Sequence, residues 1–223
     1  MPKVFVIGFN KSATSSLHEV FRALGKPAYH QGTGRRGKWR SGEDLELLQT
    51  YDCFSDGPPR EVDKLDAAFP GSKFILQVRD LEGWVYSRLA HNQKWRKIEP
   101  DLHAGEADTE EHVQHWIQNR NRFHMYVMDY FRDRSDDLLI VNFIRDQDAG
   151  NKVSRFLGSR KKLKRPDVNK APSRERTENH KKIVDAAVRN LDIKLEEMAQ
   201  DLLCPSLLDD AGREKYPADT SQL

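Results

Sequence analysis

Residues 3–25 read KVFVIGFNKSATSSLHEVFRALG, and their pattern predicts the first strand, loop and helix of the protein. It begins with a short apolar run, residues 3–8, which predicts a buried strand of a parallel sheet. A polar turn follows at residues 9–14. Beyond that turn, apolar residues recur at helical spacing, at Leu17, Val20, Phe21 and Leu24. Gly25 then provides a signal for the end of the helix. The order strand, tight loop, helix predicts the start of an α/β domain.

The alternation of strands and helices continues along the chain. Further short apolar runs predict strands at residues 27–30, 51–55, 73–78 and 138–143, with amphipathic helices between them. A long helix is expected to begin at Asp108, capped by that aspartate, and a C-terminal helix to extend from Val184 through Met198. We therefore expect an α/β fold of three layers, a parallel sheet flanked by helices on both faces. We expect one domain over residues 1–203 and a loosely ordered tail over residues 204–223.

Composition limits the classes of protein to consider. In this chain of 223 residues, 37% are hydrophobic and 32% charged, which is enough apolar material for a core beneath a charged surface. No apolar stretch approaches the roughly 20 residues of a membrane-spanning helix, and no secretory segment precedes the first strand, so we expect a cytoplasmic location. The two cysteines, Cys53 and Cys204, support neither a disulfide framework nor a metal-ligand cluster.

The turn at residues 8–16, GFNKSATSS, has the composition of an anion-binding loop. Backbone N–H groups and the helix dipole favour an anion between a strand and a helix, and a lysine and four hydroxyls add to this preference. The loop is P-loop-like without being an NTPase P-loop, in which the lysine follows a second glycine and precedes a hydroxyl that holds magnesium. Here Lys11 comes early and no glycine directly precedes it. The simpler alternative is a hydroxyl-rich cap for the first helix.

A second segment, KFILQVRDLEGWVYSR at residues 73–88, places an arginine at the end of a strand and a serine on the following helix. Arg79 and Ser87 are eight residues apart. The guanidinium fork can reach phosphate oxygens from the strand end, and the serine can add a hydroxyl two turns along the helix. The alternative makes Arg79 a surface ion pair and Asp80 a helix cap.

Together the two segments resemble the sulfotransferases that use 3'-phosphoadenosine-5'-phosphosulfate (PAPS). Their 5'-phosphosulfate loop is usually K-[ST]-G-T-[ST]-S-L, and an arginine and a serine at the spacing of Arg79 and Ser87 hold the 3'-phosphate. One departure is Ala13, where the family usually has glycine; a positive φ there would strain an alanine. Weaker landmarks, similar to the small sulfotransferases that include the parasite drug-activating enzyme, extend to residue 174.

The resemblance implies transfer of a sulfuryl group from PAPS to a hydroxyl or amine, without a metal, leaving 3'-phosphoadenosine-5'-phosphate (PAP). The acceptor it implies is a small molecule or a saccharide that the sequence does not identify. Lys11 would stabilise the charge that grows on the phosphosulfate bridge. The implied cofactor ligands are Lys11, Ser12, Ala13, Thr14, Ser15, Ser16, Arg79 and Ser87, with Lys170 and Arg174 as further 3'-phosphate ligands. The R-K-G-x-x-G loop of the longer cytosolic members is absent.

Two residues are candidates for the base that accepts the acceptor's proton. Asp56 follows a strand end, where α/β sites collect, and the resemblance places an aspartate before proline-rich residues there. An ordinary aspartate has a pKa of about 3.9, so burial or a strong hydrogen bond would have to aid it, and it could instead be a turn former. His30 is the second candidate, because it also ends a strand and the ordinary histidine pKa of about 6.5 suits proton removal. The histidines in helices or their flanks are expected to be structural or surface residues, namely His91, His112, His115 and His124.

Two other functions remain open. The first is a P-loop kinase that uses ATP and magnesium, with Asp80 as the metal-binding carboxylate. The second is a noncatalytic polyanion-binding module that uses the ten Lys and Arg residues of residues 158–182. Basic residues at 35–40 favour an acidic or sulfated acceptor, whereas Trp95 and Trp116 could equally stack on a sugar or on a flat small molecule. We expect no nucleic-acid or membrane partner, and the sequence leaves the oligomeric state open.

Overall fold

The structure is a computed structural model that describes residues 1–30, 39, 44–55, 57, 61–98, 108–166 and 176–208, without the side chain of Trp95. Within these residues the chain divides into two compact units. The sheet unit comprises residues 1–78 and 127–166, and the helical unit comprises residues 79–126 and 176–208. The assignment of residues 1–203 to one domain, followed by a loosely ordered tail at 204–223, stays a prediction.

The sheet unit contains a five-stranded sheet in the order β2-β3-β1-β4-β5, in which every neighbouring pair is parallel. The strands are β1 Val4–Val6, β2 Ala28–Tyr29, β3 Cys53–Ser55, β4 Lys73–Gln77 and β5 Leu138–Val141. After β1 the chain first forms the two strands on one side of β1, β2 and β3, and then the two on its other side, β4 and β5. In such a sheet a ligand binds beyond the carboxyl end of the strand where the order reverses. The loop that follows β1 occupies this position.

Helices connect the strands, as the alternating pattern predicts. They are α1 Thr14–Ala23, α2 Leu45–Thr50, α3 Val62–Ala68, α4 Leu81–Ile98, α5 Glu110–Tyr130, α6 Ala149–Phe156 and α7 Glu178–Asn190. Short 3₁₀ turns lie at Ser135–Asp137, Leu195–Ala199 and Pro205–Leu207. None of the helices in the described ranges combines the length and the apolar composition that a membrane span needs.

The alternation of side chains along β1 explains how the sheet is covered. Val4 and Val6 belong to a buried cluster that includes residues of α1 and α6. Phe5, between them, points to the other face, and its ring centroid lies 5.5 Å from those of Phe54 and Phe74. Successive side chains of a strand lie on opposite faces, so β1 contributes to both cores. The aromatic cluster is extended by Trp39, Phe69 and Phe131. The expected three-layer α/β fold is confirmed.

The expected cap of the long helix is wrong. Thr109, and not Asp108, caps α5, because the Thr109 hydroxyl accepts a hydrogen bond from the His112 N–H at 3.3 Å. Asp108 instead forms an ion pair with Arg96, which lies in the last turn of α4. A sequence pattern that favours either residue as a cap does not reveal this distant cation.

The expected C-terminal helix through Met198 is also wrong. The helix α7 ends at Asn190, because Asp192 adopts a left-handed conformation with φ 51°. The Asp192 N–H donates to the Arg189 carbonyl and the Ile193 N–H to the Val188 carbonyl, each at 3.0 Å. These bonds satisfy the last carbonyls of the helix in the manner of a Schellman ending.

Candidate functional site

The loop between β1 and α1 has an unusual backbone. Lys11 and Ala13 both adopt left-handed conformations, with φ 67° and 75°, and the intervening Ser12 does not. Such alternation points successive N–H groups toward one concave side, which binds anions. The helix α1 follows directly, without a capping side chain at Ala13 and without an acidic residue in its first turn. The positive φ that would strain an alanine at position 13 is therefore present.

Gln77 holds the start of this loop, a role that the sequence reasoning missed. Its side-chain oxygen accepts a hydrogen bond from the Gly8 N–H at 2.8 Å, and its Nε2 donates to the Phe9 carbonyl at 3.3 Å. The side chain is 1% exposed. The feature of the sequence that could have indicated this role is Gln77 itself, a single amide side chain in the otherwise apolar run FILQV at residues 74–78. The Ser12 hydroxyl also donates to the Phe9 carbonyl, so two side chains fix the loop before α1 begins.

The structure brings His30 and Ser15 together. The Nε2 atom of His30 lies 3.1 Å from the Ser15 hydroxyl, and its Nδ1 donates a hydrogen bond to the Ser55 carbonyl. The ring of His18, on α1, stacks on that of His30 with centroids 5.4 Å apart. Burial, and to a lesser extent the neighbouring His30, lower the pKa of His18. His30, which the sequence marks as a candidate base, thus contacts Ser15, which the sequence marks as a loop ligand.

Arg79 begins the helical unit, and the groups around it fix its position. Its Nε lies 4.0 Å from Asp80 Oδ1, while Asp80 Oδ2 accepts a hydrogen bond from the Gly83 N–H at 2.7 Å. A Cβ at Gly83 would lie 3.0 Å from the Arg79 Nε, so the guanidinium packs directly over this glycine. Arg120 donates to the Arg79 carbonyl at 2.8 Å. Asp80 thus caps the start of α4, as one of the two interpretations of this segment expected. Arg79 is not simply a surface ion pair, because its side chain is largely buried and packs against Gly83.

A second arginine follows Ser87 on α4, in the same unit. The Arg88 guanidinium lies between two indole rings, 5.3 Å from the Trp84 centroid and 4.5 Å from that of Trp116. Burial lowers the pKa of Arg88 to about 10. Trp116, predicted as a platform for the acceptor, therefore contacts a cation of its own chain. The helical spacing of Trp84 and Arg88 was the signal for this stack, and nothing near them in the sequence indicated Trp116 as the second ring.

Comparison with known proteins identifies the family. Residues 3–219 match the family model for the sulfotransferase domain. The chain belongs to the sulfotransferase family. The resemblance carried by the loop at residues 8–16 and by Arg79 and Ser87 is confirmed at the level of the family.

Two individual proteins are similar to this sulfotransferase, one over part of its length and one at low sequence identity. The Ava biosynthesis cluster protein M of Aspergillus versicolor is 31% identical over 106 residues, an alignment that covers 38% of this chain and 41% of that protein. The chain thus spans less than half the length of this curated relative. The crystal structure of mouse sulfotransferase SULT7A1 complexed with PAP is 13% identical, with a TM-score of 0.47, and the match covers 94% of this chain and 73% of that chain.

Some predicted site residues of this sulfotransferase lie outside the described residues. They are Asp56, Lys170, Arg174 and the basic residues at 35, 36, 38 and 40. Ser55, directly before Asp56, is fully buried at the end of β3. Across the described ranges, no group of three or more His, Cys, Asp or Glu side chains is arranged to hold a metal ion.

Proposed function

We propose that this sulfotransferase transfers a sulfuryl group from PAPS to a hydroxyl or amine of a small-molecule or saccharide acceptor in the cytoplasm. The observation that carries the proposal is the backbone of the loop, with left-handed residues at Lys11 and Ala13 directly before α1. This arrangement suits a phosphosulfate, because residues 8–16 contain no carboxylate and end at a helix N-terminus. PAPS would supply an activated sulfuryl group with a nucleotide phosphate as leaving group.

The loop residues would divide the binding of the anion between them. The ammonium of Lys11 would neutralise the negative charge that grows on the leaving side. Ser12 would contribute through its backbone N–H, because its hydroxyl proton is already donated to the Phe9 carbonyl. Thr14, Ser15 and Ser16 would add hydroxyls from the first turn of α1. Ala13 would contribute its backbone N–H.

The 3'-phosphate would be held by Arg79 and Ser87, a proposal that rests on their spacing and on the support of Arg79 by Gly83 and Arg120. An arginine fork is well suited to a phosphate because it donates two parallel hydrogen bonds. Lys170 and Arg174 remain predicted ligands of the same phosphate.

Asp56 remains the proposed base. His30 is the alternative, but its Nδ1 donates to the Ser55 carbonyl and its Nε2 contacts the Ser15 hydroxyl. A base must have a free lone pair within reach of the acceptor's proton. The engagement of both ring nitrogens within the protein therefore favours Asp56, which directly follows Ser55.

Calorimetric titration with PAP, and separately with ATP and magnesium, tests the proposal. Wild type should bind PAP, and Arg79→Ala should weaken that binding by about a hundredfold, as expected for a charged hydrogen bond. Arg132→Ala is the matched control, because Arg132 is an exposed arginine that forms an ion pair with Asp129, in the adjacent turn. Preference for magnesium-ATP would contradict the proposal and favour a kinase. Binding that depends steeply on salt but not on Lys11 would favour a polyanion-binding module.

Activity requires a separate experiment, because binding alone does not identify a base. With an acceptor found by screening, Asp56→Asn should lower kcat by about a hundredfold or more and leave PAP affinity unchanged. Equal loss of PAP affinity would show that Asp56 acts in binding.

A further inference from the structure

The hydrogen bonds of His30 define which of its nitrogens carries the proton. The Ser55 carbonyl can only accept, so the Nδ1 atom that contacts it must be protonated. A neutral imidazole has a single N–H, which leaves Nε2 as an acceptor. The Ser15 hydroxyl, 3.1 Å away, then donates its proton to Nε2.

This bond conflicts with the binding of an anion by Ser15. A hydroxyl has one proton, and phosphate or sulfate oxygens offer only lone pairs. If Ser15 turned its proton to the anion while His30 stayed neutral, lone pairs on Nε2 and on the serine oxygen would face each other. A second proton on His30 removes the conflict, because Nε2–H then donates to Ser15 and Ser15 donates to the anion. The imidazolium also brings a positive charge toward the anion.

The groups around His30 permit this change of charge. Within the described residues, α1 presents His18 to the ring, and β3 presents the carbonyl and hydroxyl of Ser55. The pKa of His18 lies below its ordinary value, chiefly because of burial and then because of His30, so a charge on the stacked neighbour is disfavoured. The charged residues nearest to His18 on α1, Glu19 and Arg22, pair with each other at 3.1 Å.

We propose that His30 is a positioning residue that takes up a proton when a phosphate or sulfate ester binds the loop at residues 8–16, and so couples cofactor binding to pH. The identity of that ester rests on the proposed function. The fully hydrogen-bonded chain runs from the Ser55 carbonyl through His30 and Ser15 to the anion. Affinity therefore increases as the pH falls, by up to about tenfold per pH unit for one proton.

Proton uptake on PAP binding is the first test. Calorimetry in buffers with different heats of ionisation, between about pH 6 and pH 8, gives the number of protons bound with the ligand. His30→Gln offers a permanent amide donor toward Ser15 and cannot titrate, so it should lose the uptake and the pH dependence. Ser15→Ala should lose both as well. The phosphates of PAP titrate near pH 6 themselves, but equally in every variant.

The matched control is His112→Gln, because His112 is an exposed histidine on α5. It should retain the wild-type uptake. The same proton uptake in wild type and His30→Gln would overturn the inference.

Nitrogen NMR of the imidazoles separates this inference from the proposed function. In the free protein at about pH 8, the resonance that His30→Gln removes should report an Nδ1-protonated, neutral ring. Inorganic sulfate should convert that ring to the doubly protonated form. If PAP did not bind, the proposed cofactor would be wrong, and the sulfate titration would still decide the role of His30. A ring that is protonated on Nε2 alone, or that does not respond to sulfate, would contradict the inference.

Discussion

The side-chain oxygen of Gln77 accepts a hydrogen bond of 2.8 Å from the backbone N–H of Gly8. The Nε2 of the same amide donates to the Phe9 carbonyl. Since Gln77 ends β4 and Gly8 follows β1, one side chain ties the start of the anion loop to the neighbouring strand. A side chain at position 8 has no room, because a Cβ there would lie 2.2 Å from the Gln77 carbonyl oxygen.

Gln77→Glu should therefore disrupt the loop while preserving the shape of the side chain. The carboxylate can still accept from Gly8 but cannot donate to the Phe9 carbonyl, and it places a negative charge beside an anion site. We expect a loss of about 1–3 kcal/mol of stability from the unsatisfied buried group. PAP affinity should fall by about tenfold or more. Denaturant unfolding and calorimetry measure the two effects.

Gln49→Glu is the control, because it makes the same change at an exposed position of α2. It should alter neither quantity. Normal PAP binding by Gln77→Glu would show that the clamp does not position the loop.

Ala13→Gly should stabilise the protein. Ala13 has φ 75°, where an L-residue with a Cβ is strained by about 1–2 kcal/mol, and glycine relieves this strain. The greater freedom of glycine in the unfolded chain and the lost methyl contact offset part of the gain, which leaves about 0.5 kcal/mol. Thermal unfolding measures the change. Ala90→Gly, in the interior of α4, should destabilise by about 1 kcal/mol; a similar loss at position 13 would refute the strain.

Gly83→Ala should weaken PAP binding through Arg79. The added Cβ would lie 2.5 Å from Asp80 Oδ2 and 3.0 Å from the Arg79 Nε, so the Asp80 carboxylate must shift and the guanidinium beside it is displaced as well. We expect about a tenfold loss of affinity, measured by calorimetry. In an Arg79→Ala background the same change should cause no further loss of PAP affinity, because the phosphate ligand that it displaces is gone. Additive losses in the double variant would mean that Gly83 acts by another route.

Much of this structure follows from local patterns. The apolar runs and turn residues predict the five strands, and the interruption of apolar residues by hydroxyls predicts the loop before α1. The order of Lys11 and its hydroxyls distinguishes this loop from an NTPase P-loop. These features depend on neighbours within a few residues, which a single sequence displays directly.

The parts that could not be predicted depend on distant contacts. Nothing in the sequence pairs Gln77 with Gly8 or Ser15 with His30, because the parallel sheet brings them together. The ending of α7 at Asn190 depends on the left-handed conformation of Asp192. An aspartate adopts this conformation only in some contexts, so its presence in the sequence does not predict a helix end. Likewise, Thr109 competes with Asp108 as a cap, and a pairing with Arg96 decides between them.

His124 should make the stability of the helical unit sensitive to acid. Burial, followed by the nearby charge of Arg120, lowers the pKa of His124 to about 3, and its Nδ1 donates to the Leu202 carbonyl at 2.6 Å. In the unfolded chain a histidine binds a proton below about pH 6.5, whereas the folded protein excludes it. The free energy of unfolding is therefore not reduced by His124 above that pH. Below that pH the free energy of unfolding decreases by about 1.4 kcal/mol per pH unit, until the pH approaches 3.

Urea unfolding at about pH 7.5, 6.5 and 5.5 measures this slope, and His124→Gln should reduce it by one proton whatever its effect on stability at neutral pH. The comparison concerns the slope because a buried substitution also changes the baseline. His112→Gln, at an exposed position of α5, should retain the wild-type slope. If His124→Gln lost stability with acid as steeply as wild type, other groups would carry the acid sensitivity, and His124 would have to be charged in the folded protein.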